Sequence, residues 1–196
     1  MVFVHARKDT VKTAMMLKEK AYAENELEFF GAQDDPQYEL KKRDLARSKN
    51  REMKELFQYG FGIHHAGMLR TDRALTEKMF ADGLLRVLCC TATLAWGVNL
   101  PAYAVVIKGT QVYSTDKGAF VDLSILDVMQ IFGRAGRPQY ESHGVGYILT
   151  SQDKLNHYVA LITQQLPIES RYVTFSIQCC CQCTVLLRCR IDLSHF

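Results

Sequence analysis

No stretch of the 196 residues stays apolar long enough to cross a bilayer. Met1-Val2-Phe3-Val4 runs straight into His5 and Arg7, so no secretory leader is read at the N-terminus. The seven cysteines form no spaced disulfide framework. Cys89 and Cys90 sit in an apolar run, and Cys179, Cys180, Cys181, Cys183 and Cys189 crowd the end. A reducing, intracellular setting is therefore expected. Three cysteines in a row cannot all face one ion, and His64-His65 on a strand point to opposite faces, so no metal site is expected. Charge of one sign is scarce: the net value of +3 permits a nucleic-acid partner without demanding one. Missing as well are a G-x-x-x-x-G-K-[ST] loop and an acidic magnesium-binding box after a strand. The chain has no phosphate cradle of its own.

What is present fits one α/β domain with an appendage. Hydrophobic residues make up 48%, enough to fill a core. Apolar runs predict strands near residues 2–5, 61–65, 86–91, 104–108 and 145–150, mostly with helices between them. That rhythm predicts a mainly parallel sheet in three layers, helices covering both faces. Asp9 or Thr10, Thr71, Ser124 (boxed by Asp127) and Ser151 are the expected helix caps. The first helix is expected to bury Val11, Met15, Leu17 and Ala21, and the last Leu155, Tyr158, Val159 and Ile162. Tyr22 to Tyr59 reads as an insertion, its Lys41-Lys42-Arg43 run as a solvated face. Two short β-prone runs around Ser114-Thr115-Asp116-Lys117-Gly118 predict an inserted β-hairpin.

The chemistry gathers around Gly133-Arg134-Ala135-Gly136-Arg137, which follows an apolar helical run ending in Gln130-Ile131-Phe132. Two arginines one helical turn apart share a face, and Gly133 and Gly136 let a ligand come close. A polyphosphate suits that pair; a helix end with cations at its dipole's negative pole is the other reading. Arg70 and Arg73 open a helix against the dipole preference, which hints at an anionic partner. Thr91 and Thr93 can donate hydroxyls to phosphate. In a parallel sheet the working loops lie beyond the strand carboxyl ends. All the candidates, the glycine-arginine stretch included, are expected at that one edge.

Four ordered segments carry a resemblance: Phe61 to Arg73, Cys90 to Ala102, Ile107 to Tyr113 and Asp127 to Tyr140. Over residues 1–170 the chain resembles the second RecA-like (helicase C-terminal) domain of the Ski-like DExH branch of superfamily 2 helicases. The resemblance implies a motor domain of an ATP-dependent 3′–5′ helicase. His5 and Arg7, then His65, Ala66 and Gly67, then Thr91 and Thr93, would hold the nucleic-acid backbone, with Arg70 beside them. Gly97, Asn99, Gly133 and Gly136 would meet the nucleotide. Arg134 and Arg137 would be arginine fingers, with Gln130 closing the cleft. Tyr113, Ser114, Thr115, Asp116 and Lys117 would tip a strand-separating hairpin.

ATP and Mg2+ would be held mainly by a first RecA-like domain that this sequence does not contain. Single-stranded or partly duplex nucleic acid, that domain in cis and a larger complex are the implied partners, with no membrane, in the nucleus or cytoplasm. Residues 171–196 depart from the family as a cysteine-rich tail, expected to be poorly ordered. Two other readings stay open: a non-catalytic nucleic-acid or partner-binding module, and a regulator supplying arginines to another ATPase in trans.

Overall fold

Cys89 and Cys90 show how the sheet is built. Adjacent strand residues face opposite ways, yet both side chains are fully buried, in different apolar clusters. The strand that carries them is therefore covered on both faces, as a parallel sheet requires. Burial pushes the Cys89 thiol up to about 12 and Cys90 further, so neither is a nucleophile at neutral pH.

The structure is a computed structural model that describes residues 1–114, 117–136 and 143–163. Its elements, in chain order, are β1 (Val2–Val4), α1 (Arg7–Ala23), a short 3-10 turn (Leu27–Phe29), α2 (Tyr38–Ala46), α3 (Arg51–Phe57) and β2 (Phe61–His64). Then come α4 (Arg70–Ala81), β3 (Val87–Thr91), α5 (Thr93–Gly97), β4 (Ala104–Lys108), β5 (Gln111–Ser114), β6 (Ala119–Asp122), α6 (Ile125–Phe132), β7 (Val145–Leu149) and α7 (Gln152–Thr163). The main sheet has the order β2-β3-β1-β4-β7, every pair parallel. Residues Met1–Thr163 form one compact unit. The expected boundary at residue 170 and the tail 171–196 with its five cysteines lie outside the described residues.

One apolar cluster joins α1, α2, α3 and α4 to β2 and β3; the other joins α5, α6 and Tyr158 of α7 to β1, β3 and β4. The inserted segment is tied down at both ends. Tyr38 of α2 stacks on Phe57 of α3 at 5.0 Å between ring centres. Lys41 is not solvated as the charge run suggests: it is buried and pairs with Asp82 at 2.9 Å. Lys42 does face solvent, 3.2 Å from Glu39.

The helix starts differ from expectation in two cases. Helix α1 begins at Arg7 behind Ala6, with no side-chain cap, and α4 begins behind Leu69, also uncapped. Thr10 lies inside α1 and donates to the Arg7 carbonyl at 2.6 Å. That back-bond is what lets a threonine be buried there. The most deeply buried residues of α1 are Thr10, Thr13, Ala14 and Ala21, small residues that admit the strand beneath; Val11, Met15 and Leu17 are partly buried and pack against the same cluster. Ser124 does cap α6: it accepts from the Asp127 amide at 3.2 Å and donates to its carboxylate at 2.5 Å. In α7 only Tyr158 is buried among the expected positions whose side chains are described; Leu155 and Val159 are exposed. The Tyr158 hydroxyl donates to the Leu123 carbonyl at 3.1 Å, bracing the base of an antiparallel hairpin, β5–β6.

Candidate functional site

Register sets the carboxyl ends of the central strands level: Val4 pairs with Thr91, His64 with Cys90 and Phe3 with Ile107. The residues that follow therefore emerge along one rim. His5 donates from Nε2 to the Gly109 carbonyl at 2.6 Å, locking the exit of β1 to that of β4. A carbonyl can only accept, so Nε2 carries the hydrogen. Gly109 turns there with φ of +88°, where a side chain would be strained.

Two strands along, Gly67 donates its amide to His65 Nδ1 at 3.1 Å. An accepting Nδ1 leaves the proton on Nε2, the outward nitrogen of a neutral ring. Burial, then the Arg7 guanidinium, hold His65 below its ordinary pKa and keep it neutral. Arg7 lies across Gly67: a Cβ there would stand 3.3 Å from the guanidinium. The Thr91 and Thr93 hydroxyls lie 2.9 Å apart at the end of β3. Ala66 and Arg70 are exposed beside them. The rim so gathers His5, Arg7, His65, Gly67, Thr91 and Thr93. Lys108, at the end of β4, also lies on this rim and donates to Thr13 at 3.1 Å. A groove of about 840 Å³ runs from His5 past Lys108 to Tyr113 and Phe120 of the hairpin. Those two rings meet edge to face at 5.4 Å. Thr115 and Asp116 lie outside the described residues; Ser114 accepts from the Lys117 amide at 3.4 Å.

The glycine-arginine stretch is not on this rim, contrary to expectation. Ala102 donates to the Arg134 carbonyl at 2.8 Å and accepts from the Gly136 amide at 2.7 Å. Ala102 precedes β4, and the amide of Val145, the first residue of β7, donates to Tyr103. Arg134 to Gly136 therefore sit at the amino ends of β4 and β7. The five residues of β4, about 17 Å at strand rise, separate them from the carboxyl rim. The reason is topological. Helix α6 runs antiparallel to the strands, so it ends at the rim where the next strand begins.

At this second rim Arg134 is held inside the chain. It donates from one terminal nitrogen to Asn99 Oδ1 at 3.3 Å and from the other to the Ala95 carbonyl. Its Nε–H is buried with no partner among the described residues. A backbone acceptor such as Ala95 leaves no mark in a sequence. Gly133 closes α6, and Gln130 lies half-buried on its last turn. A Cβ at Gly97 would meet open space, so the chain itself does not require glycine there. Arg137 lies outside the described residues. Among the described residues, no group of three or more His, Cys, Asp or Glu could hold a metal.

One segment, Thr91 to Ala102, spans both rims: it starts at the end of β3, supplies Ala95 and Asn99 to Arg134, and finishes before β4. A family description, the helicase conserved C-terminal domain, matches residues 38–139. The chain belongs to the helicase C-terminal domain family. Its parallel sheet between helices is the RecA-like fold of that family.

The similar proteins are helicases by name. The chain is 58% identical over 174 residues to the DExH-box ATP-dependent RNA helicase DExH14 of Arabidopsis thaliana, covering 89% of this chain and 8% of the relative. It is 60% identical over 172 residues to activating signal cointegrator 1 complex subunit 3 of Danio rerio, covering 88% and 11%. It is 60% identical over 173 residues to the RQC trigger complex helicase SLH1 of Saccharomyces cerevisiae, covering 88% and 9%. The chain thus spans about a tenth of the length of the curated relatives it matches. Within that family the chain belongs with the Ski-like DExH branch, in line with the four sequence segments that suggested it.

Proposed function

We propose that this chain is the second motor domain of an ATP-dependent 3′–5′ nucleic-acid helicase. Its carboxyl rim grips a strand, and its second rim completes an ATP site held on another RecA-like domain. The observation that carries this is the Thr91–Ala102 segment. It offers hydroxyls at one rim and braces Arg134 at the other, so a displacement at either end is felt at both.

At the carboxyl rim, the outward Nε2–H of His65, the Thr91 and Thr93 hydroxyls and the Arg7 guanidinium donate to phosphodiester oxygens. Such contacts position a strand without reading its bases. RNA is the favoured strand, because the DExH14 relative is named an RNA helicase. The hairpin bearing Tyr113 and Phe120 stands beside the groove as a wedge at the duplex junction.

At the second rim, Asn99 and the Ala95 carbonyl fix the Arg134 guanidinium, which keeps other N–H donors for a γ-phosphate. Arg137 is the second finger, and Gln130 closes the cleft. Gly97, Gly133 and Gly136 leave room for the nucleotide. Mg2+ bound with ATP on the other domain would supply neutralisation of the phosphate charge there. Loss of the γ-phosphate releases the arginines, the cleft opens, and the rim's grip on the strand shifts. Membership of a larger complex follows the relatives named as complex subunits.

The test joins this chain to a cradle-bearing first RecA-like domain in one polypeptide and measures nucleic-acid-stimulated ATP hydrolysis. Arg137→Ala should cost about 10³–10⁵-fold, by analogy with arginine fingers elsewhere. Normal hydrolysis in that variant overturns the assignment. The missing cradle motif favours a second reading, a strand-binding module without turnover. On both readings the chain alone hydrolyses no ATP, and measurable turnover by it would refute the half-site argument.

A further inference from the structure

The carboxyl rim does not stop at the family's motif residues. The inserted segment comes back to it at the turn between α2 and α3. There Lys49, Asn50 and Arg51 face Gly67, Met68 and Leu69 across a groove of about 380 Å³. Gly67 is the shared wall, since Arg7 also lies against it, 3.3 Å from where a Cβ would stand.

The turn is a built one. Asn50 donates its amide to Ser48 Oγ at 3.0 Å and accepts from the Met53 amide at 3.0 Å. Its backbone is fixed while the Lys49 and Arg51 side chains are exposed. Three other cations of the insertion spend their charge within the chain. Lys41 pairs with Asp82, Lys42 with Glu39, and Lys54 donates to the Ala46 carbonyl at 2.9 Å. Among the described residues Lys49 and Arg51 make no ion pair, and neither do Arg7 and Arg70 on the rim. Glu52 and Asp72 also line the groove, so Lys49 and Arg51 stand there with two carboxylates, of which Asp72 is buried; Arg7 and Arg70 add two cations on the adjoining rim. Two exposed cations without an ion pair on a fixed turn, continuous with a rim of phosphate donors, suit a polyanion that runs on past Gly67.

We infer that Lys49 and Arg51 receive a further stretch of the strand's phosphodiester backbone, extending its path from His65–Gly67 onto the insertion. The inference rests on the strand-binding reading of the rim.

The experiment measures binding of the full 196-residue chain to fluorescein-labelled oligouridylate by anisotropy, between about 50 and 200 mM salt. In Lys49→Ala/Arg51→Ala two phosphate contacts are lost. The slope of log K against log salt should flatten by about 1.4, and affinity near 0.1 M should fall ~25-fold, as about 0.7 counterions per single-strand contact implies. Both side chains are exposed and Ser48 and Asn50 are untouched, so the fold is kept. Lys42→Ala, in the same insertion but already paired, should bind as the parent does; an equal loss there would mean general charge and overturn the inference.

Arg7→Ala separates the two readings. Loss in Arg7→Ala and in the double variant supports both. Loss in Arg7→Ala alone overturns the path over the insertion and keeps the rim. Loss in the double variant alone refutes the continuity with the rim, and loss in neither refutes rim and extension together.

Discussion

The two rims of the sheet carry arginines in opposite ways. At the carboxyl rim Arg7 is exposed and makes no ion pair among the described residues. At the second rim Arg134 is half-buried, pinned by Asn99 and the Ala95 carbonyl. The difference fits what the proposed function asks of each. A strand that slides needs donors that let go and re-engage. A transferring phosphoryl group needs a guanidinium already in place, since preorganised charge costs no rearrangement at the transition state.

The sharpest way to break the comparison is to remove the pinned arginine. In a polypeptide that also carries the cradle domain, Arg134→Ala should lower stimulated ATP hydrolysis by about 10³-fold or more, roughly 4 kcal/mol of barrier. Arg134→Lys should not restore it, because one ammonium cannot span Asn99, the Ala95 carbonyl and a phosphate together. Strand binding by the chain should fall far less. Equal losses in both assays would erase the division of labour between the rims.

Glycines test the same contrast at a smaller scale. A Cβ at Gly144 would stand 2.3 Å from the Gly136 amide nitrogen and 2.4 Å from the Ala135 carbonyl carbon. All three nearest atoms belong to the Ala135–Gly136 peptide, and backbone cannot yield cheaply, so Gly144→Ala should destabilise by about 1–3 kcal/mol in denaturant titration. It should also displace the glycine-arginine stretch. At Gly67 the nearest atoms to a Cβ are side chains, His65 Nδ1 at 3.2 Å and Arg7 at 3.3 Å. Gly67→Ala should change stability by no more than about 0.5 kcal/mol yet weaken strand binding, by moving Arg7. A stability loss at Gly67 as large as at Gly144 would show the carboxyl rim to be as rigid as the other.

The sheet was legible in the sequence because apolar runs alternate with helical patterns, and a strand buried on both faces reads as continuous apolar residues. The Ser124–Asp127 cap was legible from spacing alone. Three things were not. Small buried residues on α1 carry no hydrophobic signal, so Val11 and Met15, which do pack on the core, were legible while the more deeply buried Thr10 and Thr13 were not. The partner of Lys41, Asp82, is remote in sequence, so a charge run looked solvated. The division into two rims needed topology: motif spacing says which residues matter, while the direction of α6 decides at which end of the sheet Arg134 emerges.

Acid should act at the carboxyl rim through His64 and His65, because histidine titrates near neutrality and the Arg134 guanidinium of the other rim does not. His64, at the end of β2, is buried to 3% exposure and donates from Nε2 to Glu77 at 2.7 Å, with Nδ1 unpartnered among the described residues. Burial, the largest influence, pulls its pKa below 6.5 against the opposing pull of Glu77, and Arg73 adds to the lowering. His65 is lowered as well. The unfolded chain therefore takes up protons first. The stability these rings contribute is fully present above about pH 6.5 and is lost as pH falls through the lowered folded values. Denaturant midpoints should drop as pH falls below that point, and His64→Gln should flatten the dependence by removing one of its two sources at this rim. His65→Gln should flatten it less, since His65 is only half-buried, whereas Arg134→Ala should lower stability without changing its slope with pH. A slope left intact by both histidine changes would place the acid sensitivity elsewhere in the molecule.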